Sequence, residues 1–283
     1  MFVNLFAATA VPGSRYATLP SGYKLFYKVV RPDLLHDAQA PYPLAVLHGG
    51  PQVPSDYLFD LEMLLPERSI LFYDQLGSGR SDAPPDPDLY SVEKSVADLR
   101  CVFTAADLGK ERPYHLYGQS WGGLLAFQHL TLDEGGALPY GAQTLTLSNT
   151  PSSVPLVEVE AQRLLTDCDG DVEAFMAKHN YRGGPEQPPQ LAAAYAHAGT
   201  TWRGSGVIAG LEASPAAMDR VSCPALVLRG EHDFVTAACV KGWEGLKRSR
   251  FVTLPGLSHH ALLEDRDGYL QVLGRFLEEH DPS

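Results

Sequence analysis

The sequence predicts an α/β fold: a doubly wound, mostly parallel sheet with helices on its faces and a helical cap inserted into it. Three observations carry that prediction. Seven short apolar or alternating runs end in turn residues, as the buried strands of a parallel sheet do: residues 23–30, 44–47, 70–73, 114–117, 144–147, 225–228 and 251–254. Between them, apolar residues recur at helical spacing. From Pro151 to about Val221 the strand runs stop, and about seventy residues are too many for a bare loop in a compact domain. The chain accordingly divides into residues 1–150, the first part of the sheet core; 151–221, the helical cap; and 222–283, the second part of the core.

Each element has a local cause. Val92, Val96, Leu99 and Phe103 lie on one helical face behind Ser91, whose hydroxyl can cap a free first-turn amide. The alternating run Tyr114-His115-Leu116-Tyr117 is followed by Gly118-Gln119-Ser120-Trp121-Gly122-Gly123 and then by the helix-like Leu124-Leu125-Ala126-Phe127. In the cap, helical patches over residues 157–166, 172–179 and 191–198 are broken by Gly183-Gly184-Pro185 and Pro188-Pro189. Residues 262–277 read as a C-terminal helix. In such a sheet, ligands are expected beyond the carboxyl ends of the strands.

Composition narrows the class. A length of 283 residues suits two domains or one α/β unit with an insertion, and is ample for a large core. The formal net charge of -12 argues against a nucleic-acid or anionic-membrane surface, because the long-range field repels phosphate. Cys101, Cys168, Cys223 and Cys239 show no CxxC or Cys/His spacing, so neither a zinc site nor a disulfide framework is indicated; a reducing, cytoplasmic compartment is expected. Residues 1–10 are apolar, but they lack any Lys or Arg before Arg15 and are interrupted by Asn4, so a strand or tail is expected there rather than a signal peptide. No segment approaches a transmembrane length.

The turn at Ser120 carries the chemistry. A nucleophile elbow needs small residues two before and two after the serine, where strained backbone meets neighbouring chain, and Gly118 and Gly122 supply them. A serine hydroxyl is a weak nucleophile near neutral pH, so it needs a histidine base and a carboxylate to orient that base. Arg229-Gly230-Glu231-His232-Asp233 follows the run 225–228 and places Asp233 at a strand end, with Glu231 nearer the strand and Asn149 chemically unsuited to the role. Leu257-Ser258-His259-His260 follows the run 251–254, and spacing leaves both His259 and His260 as candidates for the base. The oxyanion of the intermediate needs N–H donors: that of Trp121, at a helix start, and that of Gly50 in His48-Gly49-Gly50-Pro51, whose glycines, Gly49 included, let backbone approach substrate. The cluster Asp74-Gln75-Leu76-Gly77-Ser78-Gly79-Arg80-Ser81 has no GKS/T ending and is expected to be a structural turn near the site, with Ser78 and Ser81 excluded as nucleophiles. No metal or cofactor is implied.

Together these motifs resemble the prolyl iminopeptidase family of α/β-hydrolases, including tricorn-interacting aminopeptidases. The resemblance rests on His48-Gly49-Gly50-Pro51, the run from Phe72 through Gln75 to Ser81, the Ser120 turn, and Ser258-His259 leading into Leu263-Glu264-Asp265. It covers most of the core and is weak across the cap. It implies the α/β-hydrolase fold and selects His259 over His260 as the base. It also implies removal of an N-terminal residue, often proline, from a short peptide or amide, with acidic residues holding the free ammonium. Two departures bear on that activity. Phe234 stands where an acid commonly follows the catalytic aspartate, and the cap stretch Gly204-Ser205-Gly206-Val207 offers none; Gln52 also replaces the usual glycine after the first motif. Glu158, Glu160 and Glu212 are the acids that could substitute.

The expected function is therefore a serine hydrolase cleaving an amide through an acyl-enzyme on Ser120, with His259 as base, Asp233 orienting it, and a small-molecule or short-peptide substrate. Phe234 and the short cap favour as an alternative a carboxylesterase, amidase or acyl transferase acting on a neutral molecule of secondary metabolism. A slow-turnover ligand receptor on the same fold is the third possibility.

Overall fold

Eight strands, β1 (Ser14–Thr18), β2 (Lys24–Val30), β3 (Leu44–Leu47), β4 (Ile70–Tyr73), β5 (Tyr114–Gln119), β6 (Ala142–Ser148), β7 (Ala225–Gly230) and β8 (Ser249–Leu254), form one sheet in the computed structural model. It describes residues 13–132 and 141–282, so the strand or tail expected over residues 1–10 lies outside the described residues. The order is β1-β2-β4-β3-β5-β6-β7-β8. All pairs from β4 to β8 are parallel.

The seven runs expected from the sequence are β2 to β8. Two features differ from that expectation. β2 runs antiparallel to both neighbours, because it is fed by a short turn from β1 rather than by a crossover helix. β1 itself carried no apolar signal: it is an edge strand with Ala17 alone buried.

The period-2 side chains of the central strands build the two halves of the core. Ala45 and Leu47 of β3 face one cluster with Leu116, Val227 and the helices Val92–Ala105 and Trp121–Thr131. Leu44 and Val46 face the other, with Phe72, Leu226 and the residues Tyr269, Leu273 and Phe276 of the helix Arg266–Glu278. Ser91 caps the first of these helices, its hydroxyl accepting from the Lys94 amide at 3.2 Å. The C-terminal helix expected over 262–277 is two helices, Ala261–Glu264 and Arg266–Glu278, because Asp265 interrupts it and its carboxylate caps the second at the Gly268 amide, 3.0 Å away.

Among the described residues no strand lies between β6 and β7. That segment holds the helices Val154–Thr166, Val172–Phe175, Pro189–Ala196 and Pro215–Met218, with a π-helical turn over Met176–Asn180. The loops that leave the carboxyl ends of β3, β5, β6, β7 and β8 therefore come from five adjacent strands, and all the sequence-predicted site residues lie on them.

Candidate active site

At the end of β5 the chain reverses within one residue. Ser120 has φ 55° and ψ -124°, a backbone state that a non-glycine residue adopts only when its surroundings over-determine it. The surroundings do so. A Cβ on Gly118 would lie 2.2 Å from the Gly122 carbonyl oxygen, and one on Gly122 would lie 2.2 Å from that of Leu47 and 2.6 Å from that of His48. The Ser120 amide is tied to the Ser148 carbonyl of β6 at 2.8 Å. The two glycines thus let the helix Trp121–Thr131 start directly against β3, and the Trp121 amide sits where helical N–H groups have no intrahelical acceptor.

The loop after β3 is organised around two buried side chains. The Gly49 amide donates to Tyr57 Oη at 2.8 Å, and that hydroxyl donates to Gln119 Oε1 at 2.7 Å. Gly49 is therefore committed to structure, whereas no described acceptor takes the Gly50 amide. Gly50 has φ 118°, open to glycine alone, and the peptide to Pro51 is cis. His48 Nε2 accepts from the Gln75 amide at 2.9 Å, so its Nδ1–H faces the Gly49 carbonyl at 3.0 Å. Burial lowers the His48 pKa against the pull of Asp74, keeping this ring neutral. Gln75 also takes the Trp121 indole N–H at 2.7 Å and thereby joins the loop to the helix start.

Asp74 explains the glycine-rich cluster. Its buried carboxylate accepts from Ser55 Oγ at 2.6 Å and from the Arg80 amide and guanidinium at 3.0 Å each, and a Cβ on Gly79 would stand 2.4 Å from it. Ser81 Oγ accepts from the Phe26 amide at 2.9 Å and Ser78 Oγ donates to the Gln75 carbonyl at 2.9 Å, both in structural bonds.

His259 Nδ1 lies 2.9 Å from Asp233 Oδ1, with both residues buried. Glu231 points elsewhere and accepts from the Gly256 amide at 2.8 Å. His260 turns away toward Tyr195 Oη at 3.0 Å, and burial together with His259 pushes its pKa well below the ordinary value. The loop carrying His259 is clamped by Glu264, which takes both the amide and the hydroxyl of Ser258. Phe234 lies against the imidazole of His259, ring centroids 4.2 Å apart.

Asn149 was excluded as an acid from its chemistry, yet it contacts the pair directly. Its Nδ2 donates to Asp233 Oδ2 at 2.6 Å and to the Ser258 carbonyl at 3.1 Å, while Asp233 Oδ1 also accepts from the Val235 amide at 2.8 Å. The signal in the sequence was its place directly after β6, at φ 50°, where asparagine is tolerated best after glycine. Asn149→Gly keeps that backbone and removes the donor. It is expected to lower kcat/KM about tenfold to a hundredfold, the worth of a hydrogen bond to a charged group. Steady-state kinetics check this, and wild-type values would show that the amide does not hold the carboxylate.

Two cavities meet at Ser120 and share Gly50, Asn180 and Phe234. One, of about 300 Å³, is lined mainly by apolar residues such as Trp121, Val154, Phe175 and Ile208, with Glu158 as its one charged lining residue. The other, of about 190 Å³, contains His259 together with Tyr57, Gln119, Tyr195 and Arg203. Of the remaining cap acids, Glu212 accepts from Ser153 Oγ at 2.5 Å and Glu160 pairs with Arg163 at 2.9 Å, and neither lines a cavity at Ser120. Gln52, buried at φ 65°, ties the loop after β3 to the helical segment: its carbonyl accepts from the Gly199 amide at 2.9 Å and its Oε1 from the Trp202 amide at 3.1 Å.

A strained serine between strand and helix, lining one cavity with the histidine of a buried His–Asp pair, is the arrangement of a hydrolase. Comparison with known proteins agrees with that class. The model of the alpha/beta hydrolase family matches residues 44–272. The proline iminopeptidase of Levilactobacillus brevis is 30% identical over 298 residues, covering 92% of this chain and 94% of its own, and that of Lactobacillus helveticus is 29% identical over 294. Among solved structures, VinJ superposes with a TM-score of 0.80 at 26% identity, covering 95% of this chain and 100% of its own; the proline iminopeptidase of Mycobacterium smegmatis gives 0.79 at 24%, covering 94% and 98%. The chain belongs to the α/β-hydrolase family. Within it, this is a proline iminopeptidase-like hydrolase. No helix among the described residues is long and apolar enough to cross a membrane.

Proposed function

We propose that this protein hydrolyses the amide bond of a small aminoacyl compound or short peptide through an acyl-enzyme on Ser120. The observation that carries this reading is the strained Ser120 lining one cavity with His259, whose Nδ1 lies 2.9 Å from Asp233 Oδ1. Ser120 Oγ attacks the carbonyl carbon and its proton passes to His259, whose charge Asp233 stabilises. The Gly50 and Trp121 amides hold the oxyanion. The C–N bond then breaks, the amine leaves with the proton of His259, and water repeats the sequence on the acyl-enzyme to release the acid.

The two cavities divide the substrate. His259 must reach the leaving nitrogen, and it lines the smaller cavity and not the larger. The acyl side therefore occupies the apolar cavity, with residues 151–221 serving as its cap. There Glu158, which of the three candidate cap acids is the one lining the cavity, pairs with a free ammonium. The cytoplasmic setting expected from the scattered cysteines belongs to the same proposal. A second reading has its own support: Phe234 lies against His259 where an acid was expected, leaving an apolar wall suited to a neutral ester or amide.

Turnover of proline and alanine arylamides against p-nitrophenyl esters separates the readings. Arylamide cleavage is expected, with Glu158→Gln raising KM about threefold to tenfold, because the carboxylate is exposed and screened. Ester cleavage alone, indifferent to Glu158→Gln, would establish the neutral-substrate reading instead.

A further inference from the structure

The charged residue of the smaller cavity has no part in the chemistry above. Arg203 lines the 190 Å³ space with Ser120, His259, Tyr195 and Gly204, and no carboxylate is among its lining residues. Its side chain is exposed to the solvent that fills this space, in a chain where Asp and Glu number 34 against 22 Lys and Arg. Its neighbourhood is anchored: the preceding Trp202 packs edge-on against Trp121 at 5.4 Å, stacks on Tyr90 at 6.4 Å and donates its amide to Gln52. Tyr195, whose hydroxyl pKa is raised by burial, lines the same cavity.

We infer that Arg203 recognises a carboxylate on the leaving group, so that the preferred substrates are short peptides with a free C-terminus. The inference rests on the amide-hydrolysis reading. It follows from which cavity holds His259: whatever leaves must sit beside the imidazole that protonates it, and the charged group in that space is a guanidinium. A planar fork of N–H donors matches a carboxylate in two parallel bonds. It also offsets locally the repulsion that a net charge of -12 exerts on any anionic substrate. With Glu158 in the other cavity, the pair of charges matches a zwitterionic peptide lying across Ser120 with its amino end under the cap.

The test uses matched substrates, alanyl- or prolyl-glycine with a free carboxylate and the same dipeptides as C-terminal amides. The wild type is expected to favour the free acid about fivefold to tenfold in kcat/KM, chiefly through KM. Arg203→Gln should collapse that ratio, Arg203→Lys should keep part of it, and Arg203→Glu should invert it. Equal turnover of acid and amide by the wild type, or an equal fall for both in Arg203→Gln, would overturn the inference. If arylamides are cleaved while acid and amide are not distinguished, only the role of Arg203 falls. If no amide is cleaved while esters are, the amide-hydrolysis reading falls and takes this inference with it.

Discussion

Ser120→Ala is expected to lower kcat at least about 10⁴-fold while leaving the fold intact. The loss should be this large because Ser120 is the one serine lining the cavity that holds His259. The Ser78 and Ser81 hydroxyls are bound to the Gln75 carbonyl and to the Asp74 carbonyl, and the Tyr57 and Tyr195 hydroxyls in that cavity are hydrogen-bonded to Gln119 and to Asn180. Alanine at this position meets the same positive φ as serine, so the elbow should persist. A fluorophosphonate probe should label the wild type and not the variant, and both should unfold at closely similar temperatures. Labelling that survives in Ser120→Ala would place the reactive group elsewhere and sink the proposed mechanism.

Gly122→Ala is expected to be strongly damaging to stability. Its new methyl would stand 2.2 Å and 2.6 Å from two backbone oxygens at the end of β3, and backbone in the middle of a sheet cannot step aside as a flexible side chain can. Overpacking of this kind costs about 1–3 kcal/mol, which for a chain of this size corresponds to a fall of roughly 2–5 °C in Tm. The displaced atoms carry the loop that presents Gly50, so activity should fall as well. Gly274→Ala provides the contrast: inside the helix Arg266–Glu278 its methyl meets nothing within 4 Å, and helix propensity should make it neutral or stabilising by up to about 1 kcal/mol. Calorimetry on the two variants decides the matter, and an unchanged Tm for Gly122→Ala would contradict the tight contact between helix and strand.

Much of the fold was legible because parallel strands buried on both faces write short apolar runs. β3 and β4 coincide with the runs 44–47 and 70–73, and the ends of the others differ by one or two residues. β1 was not legible, since an edge strand with one buried residue has no apolar period to detect. The break at Asp265 was hidden for a different reason. Apolar residues continue on either side of it, and only the capping bond to Gly268 ends one helix and begins the next.

At the site, the sequence by itself determined the elements whose cause is local. A sharp turn between strand and helix demands glycines at 118 and 122, and the order of strand-end residues placed Ser120, Asp233 and His259 at the same edge of the sheet. The tertiary structure alone decided what depends on partners far away in the chain. It committed Gly49 to Tyr57 and left the Gly50 amide available; it turned His260 toward Tyr195; it brought Asn149 to Asp233, 84 positions apart; and it set Glu158 and Arg203 in separate cavities around one serine. The reason is physical. Periodicity and turn chemistry act between residues within a few positions of one another, whereas the direction of a hydrogen bond or the lining of a cavity is settled only when distant segments pack together.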